Sequence, residues 1–136
     1  MKKVFHLLAF VVAMVAITGC KEKKSMEMLA GEWSVMAVGG MAVPDSVGAF
    51  IGFNLAEKMV YGSTGCNRFA GELPATVSPE TPMFGALGST RMMCIDMTVE
   101  DALLPALGEV VDFKVDGDTL CLLNAAGQTV VSLQKQ

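Results

Sequence analysis

A chain of 136 residues that is 52% hydrophobic, with 14 acidic side chains against 10 basic ones, has room for one folded domain and carries a net charge of −4. That balance argues against a nucleic-acid partner, which needs a basic face. The one histidine is His6, so Ser-His or Cys-His nucleophile activation and histidine-based zinc sites have no histidine to use beyond the amino terminus.

The first segment has the order of an export signal. Lys2 and Lys3 form a positive start, Leu7 to Ile17 contains no polar side chain, and small residues precede Cys20. A membrane-spanning helix needs about 20 apolar residues, and this run is shorter. Ile17-Thr18-Gly19-Cys20 resembles the lipobox of bacterial lipoprotein precursors, in which the cysteine takes diacylglycerol on its sulfur and becomes the acylated first residue after cleavage. The resemblance implies a signal peptide over residues 1–19, lipid (palmitate among the acyl chains) on Cys20, and a place in the bacterial cell envelope. It implies, too, an anchor in a membrane there, facing the periplasm or the cell exterior. Cleavage before Cys20 removes His6, Lys2 and Lys3 and leaves eight basic against fourteen acidic residues, a charge of −6. Residues 20–25 then read as a solvated tether, since Lys21-Glu22-Lys23-Lys24-Ser25 has nothing to bury.

Residues 26–136 read as one domain with a period of mostly 2. Trp33, Val35 and Ala37 alternate with Glu32, Ser34 and Met36, and Ile51, Phe53 and Leu55 alternate with Gly52 and Asn54, as half-buried strands do. Lys58 to Gly62, Asn67 to Leu73 and Met83 to Gly88 are further strand candidates, the last following a loop that contains Pro74, Pro79 and Pro82. A helix is predicted from Thr98, capped by its hydroxyl, with Glu100 and Asp101 at the positive end of the dipole and Leu103, Leu104 and Leu107 facing inward. Pro105 removes a backbone donor and predicts a short or bent element. Val111 to Val115, Thr119 to Leu123 and Gln128 to Leu133 close the chain as strands, with Asp116-Gly117-Asp118 as a hairpin turn. The fold class that follows is mainly β (α+β). An antiparallel meander of about eight strands with one short helix hides its edges by curling into a barrel-like sheet.

Leu29-Ala30-Gly31-Glu32-Trp33, Gly65-Cys66-Asn67-Arg68-Phe69-Ala70-Gly71, Ser89-Thr90-Arg91-Met92-Met93-Cys94, and Glu100 with Leu104 and Leu107 resemble, in order and spacing, the META domain of heat-shock HslJ-like proteins. The resemblance covers nearly all of residues 26–136. It implies a small β-rich barrel-like fold, usually exported or lipid-anchored, linked to envelope stress and drug tolerance, with no established catalytic activity. Pro105 departs from the family pattern.

With Cys20 lipidated, Cys66, Cys94 and Cys121 remain in an oxidising compartment where one bridge can form. Cys66 and Cys94 sit at strand ends beside turn residues, whereas Cys121 lies inside an apolar strand and reads as a buried small hydrophobe, so Cys66–Cys94 is the favoured pair. Closing that loop of about 29 residues contributes about 3.5 kcal/mol in the chain-entropy model.

Such a bridge would draw Asn67, Arg68 and Arg91 together on an acidic domain, a possible anion or partner site. The competing reading pairs the arginines with Glu72, Asp96 or Glu100. Met92, Met93 and Met97 beside Cys94 are soft ligands of the kind Cu(I) prefers, but a disulfide removes the best of them, and methionine fills core gaps elsewhere in this chain. No metal, cofactor or catalytic residue is therefore assigned. The function read from the sequence is a non-catalytic, lipid-anchored envelope protein that binds or stabilises an envelope protein partner. The alternative is a small barrel that carries an apolar ligand, which a lumen packed by Trp33, Phe53, Tyr61 and Phe113 would refute.

Overall fold

The computed structural model describes residues 25–136, so the lipobox and residues 20–24 of the tether lie outside the described residues. Strand β1 (Gly31–Val38) is followed by β2 (Met41–Ala42), β3 (Phe50–Asn54), β4 (Met59–Ser63), β5 (Arg68–Glu72) and β6 (Gly88–Ser89). Helix α1 (Thr98–Gly108) then leads into β7 (Asp112–Asp116), β8 (Thr119–Leu123) and β9 (Thr129–Lys135). All pair antiparallel in one nine-stranded sheet of order β6-β5-β4-β3-β1-β9-β8-β7, with β2 on the end of β1. Two meanders thus flank β1, and α1 carries the chain from one flank to the other. The mainly β, antiparallel class holds, with nine strands for the expected eight or so; the sheet does not close on itself, so its barrel-like character is loose. Its edges are β6, only two residues long, and β7, where Asp112, Lys114 and Asp116 form the charged row; both features discourage pairing with a foreign strand.

The inner face explains the register. Ile51, Gly62 and Phe69 lie opposite one another across β3, β4 and β5, and Phe113, Leu122 and Val131 do so across β7, β8 and β9. Leu103 and Leu107 of α1 are fully buried with them, each burial contributing about 1.5–3 kcal/mol. Trp33, Phe53 and Phe113 fill the interior, and the Trp33 indole donates from Nε1 to the Leu29 carbonyl at 2.9 Å, which pins the 3-10 turn Met26–Leu29 beneath the sheet. Tyr61 is not among them. It stands on the outer face, half-buried.

Several expectations are corrected. Val38, not Ala37, is the third inward residue of β1, because a bulge at Met36 shifts the register between Val35 and Ala37 and reverses the alternation. Met83 to Gly88 is not a strand. Met83 and Phe84 are both buried, a pattern that alternation forbids, and only Gly88–Ser89 reaches the ladder. Thr98 is the first helical residue rather than its cap; the Asp96 carboxylate accepts from the Thr98 backbone N–H at 2.9 Å. The helix runs through Pro105 for 11 residues, and the carbonyl that the proline leaves without a donor belongs to exposed Asp101. Cys121 is half-buried, in register with Lys114 and Ser132 on the outer face.

Candidate functional site

The β4–β5 turn, the segment from Ser89 to Asp96 and the first turn of α1 meet at one end of the sheet. The turn itself is set by Gly65 at φ +94°, where a side chain would also run into the Val47 backbone. Thr64 organises the rest: its N–H donates to the Asn67 carbonyl at 2.9 Å, and its hydroxyl oxygen accepts the Asn67 N–H at 3.0 Å. The one hydroxyl hydrogen goes to Glu100 Oε1 at 2.8 Å.

Asn67 is 2% exposed and fully engaged. Its Nδ2 donates to the Met92 carbonyl and to Glu100 Oε2, both at 3.0 Å, while its Oδ1 accepts from the Met92 N–H at 2.7 Å and the Thr90 hydroxyl at 2.9 Å. An amide offers two donors and two acceptor positions, so Asn67 has nothing left for a ligand. Glu100, expected on the solvated helix dipole or against an arginine, is instead buried with both oxygens taken by Thr64 and Asn67. Among the described residues no buried side-chain nitrogen or oxygen is without a partner.

Beside this network Cys66 and Cys94 form a disulfide with Cα atoms 5.9 Å apart. The Cys94 N–H also donates to the sulfur of half-buried Met97 at 3.5 Å. Hydrogen bonds from the Thr98 hydroxyl and backbone N–H hold the Asp96 carboxyl below its usual range. The backbone from Thr90 to Thr98 is therefore tied at several points, while Met92, Met93 and Ile95 are 59%, 90% and 109% exposed. Arg68 and Arg91 are exposed at its rim. Met92 and Met93 project to solvent and Met97 is half-buried. Among the described residues no three His, Cys, Asp or Glu side chains converge on one point.

An open groove runs from this loop across the outer face, past Arg68, Ser89 and Thr90 to Phe50, Tyr61 and Glu32. Phe50 and Tyr61 pack edge to face with ring centroids 6.3 Å apart, and the Tyr61 hydroxyl donates to Glu32 Oε1 at 3.1 Å. The Tyr61 ring lies over Gly52, where a Cβ would fall inside it. Partial burial first, then the hydrogen bond and charge of Glu32, push the phenol above its ordinary 10.0. Sequence reasoning placed Glu100 at the helix start but missed its partners Thr64 and Asn67, and it missed the Glu32–Tyr61 pair. Thr64 with Asn67 three residues on is a readable turn signature, but nothing local marks Glu100 as buried.

The family model for the META domain matches residues 26–136, the whole of the described fold apart from Ser25. The chain belongs to the META domain family. Its META domain is similar to an NMR structure of a protein from Burkholderia xenovorans, with 23% identity and TM-score 0.64 over 81% of this chain and 85% of that one. A second NMR structure is 25% identical with TM-score 0.58 and covers 78% and 89%. A crystal structure of a DUF4847 family protein from Bacteroides vulgatus shares the fold at 13% identity and TM-score 0.54, covering 79% and 94%. No curated protein matches this chain. In this META domain the Gly-Cys-Asn-Arg-Phe and Thr-Arg-Met-Met-Cys segments lie side by side, joined by the disulfide and by Asn67.

Proposed function

We propose that this protein is a non-catalytic, lipid-anchored component of the bacterial cell envelope whose META domain is a stress-related module that binds or stabilises an envelope partner. The observation that carries the reading is the saturation of the polar cluster. The Asn67 amide and the Thr64 hydroxyl spend their hydrogen-bonding capacity on the Met92 backbone, Thr90 and both Glu100 oxygens, which fits a rigid scaffold better than a site that must exchange partners with a substrate. The disulfide suits an oxidising compartment, and Ile17-Thr18-Gly19-Cys20 supplies the anchor. Several acyl chains on one residue hold a protein to a membrane where one would not. An interior filled by Trp33, Phe53, Phe113 and Met83 weighs against the carrier of an apolar ligand.

Metabolic labelling with palmitate tests the anchor: the full chain takes label and fractionates with membranes, and Cys20→Ala does neither. Equal palmitate label on Cys20→Ala and on the full chain sinks the lipid anchor. Envelope crosslinking followed by pull-down of both forms tests the partner, which is expected to be lost with the anchor.

A further inference from the structure

The exposed loop and the groove beside it complement each other. Residues 91–95 present Met93 and Ile95 on a backbone that cannot easily give way: Asn67 grips both the N–H and the carbonyl of Met92, and the disulfide holds Cys94. Such a loop loses little conformational entropy when it binds, and methionine and arginine are favoured at the cores of protein interfaces. The groove offers what those side chains seek, the Phe50 and Tyr61 rings for a thioether and the Glu32 carboxylate for a guanidinium. A loop cannot fold back into a groove that starts at its own base. A second copy can reach it.

We propose that two copies of this domain associate by reciprocal exchange. The Arg91–Ile95 loop of each seats Met93 and Ile95 on the Phe50–Tyr61 groove of the other, with Arg91 opposite Glu32. The loop leaves the groove at Thr90, so a two-fold axis beside that residue satisfies both contacts at once and closes the pair. The charge logic is selective. Arg68 and Arg91 are two of the five basic residues between positions 26 and 136, against thirteen acidic ones, so most other approaches of one copy to another bring acid against acid. The association does not depend on the anchor.

Cells expressing the full chain in two differently tagged copies, one with a photocrosslinking residue at position 93, provide the test. The expected product carries both tags and maps to residues 50–70 of the second copy, while the same probe at Lys114 on the far edge gives none. Arg91→Glu and Glu32→Arg each lower the yield about tenfold, and the two together restore it. No doubly tagged product, a product with another protein or with lipid, equal yield from Lys114, or a yield indifferent to the charge variants overturns the proposal. Position 93 is 90% exposed, so the probe there does not disturb the fold.

Discussion

Asn67 shows how little a residue type says about its task. Beside two arginines and a cysteine it reads from the sequence as part of a binding patch, yet its amide faces Met92, 25 residues away, and Glu100, 33 residues away. Partners at that distance in sequence leave no local trace. Asn67→Ala strands Glu100 Oε2 and both backbone groups of Met92, and each orphaned buried group costs about 1–3 kcal/mol with water replacing some of the loss. Urea unfolding of the oxidised protein is expected to show a loss of about 3 kcal/mol, and a loss under about 0.5 kcal/mol would mean that the network is not what holds the loop. Tyr61 gives a second test, because it is the one tyrosine in the chain and its ionisation can be followed by absorbance alone. Its folded phenol keeps the proton above pH 10.0, where the unfolded chain releases it, so stability present below pH 10 declines as pH rises through the raised value. Glu32→Ala removes the hydrogen-bonding and charge contributions of the carboxylate, while burial, the largest cause, remains. The titration midpoint is expected to fall toward 10 without reaching it; an unmoved midpoint would show that Glu32 contributes nothing.

At the scale of elements, the strands that alternate cleanly were legible, and those interrupted by a packing event were not. β4, β7 and β8 lie within a residue or two of their expected positions because inward and outward residues follow the pleat. The Met36 bulge and the double burial of Met83 and Phe84 obey the core rather than the period, and a sequence carries no mark of them. Pro105 predicts a short or bent α1 from the sequence, but the helix runs through it, on an exposed side where water can reach the Asp101 carbonyl. Pro105→Ala returns a donor to that carbonyl, and thermal unfolding is expected to show a gain of about 1–3 kcal/mol. A loss instead would mean that neighbouring side chains are built around the ring.

For the whole molecule, the two meanders could be read from turn chemistry, such as Asp116-Gly117-Asp118, but their arrangement about β1 could not. Adjacency in sequence predicts adjacency in space for hairpins, and it is silent on which strand takes the other side of the first one. That place belongs to β9: Trp33 pairs with Lys135 and Val38 with Val131, and the Lys135 ammonium stands 5.6 Å from the centre of the Trp33 ring. The candidate site depends on the same long-range closure, since α1 brings Glu100 to Asn67 only when it crosses from one meander to the other.

The meeting of β1 with β9 also fixes when the domain can exist. Contacts roughly a hundred residues apart are slow to form, and until residues 129–135 are free the central strand has a bare flank and the β7–β8 hairpin has nothing to dock on. The domain therefore stays unfinished until residues 129–135 are available to pair with β1. Among the described strands the fold works like a clasp whose two halves are β1 and β9.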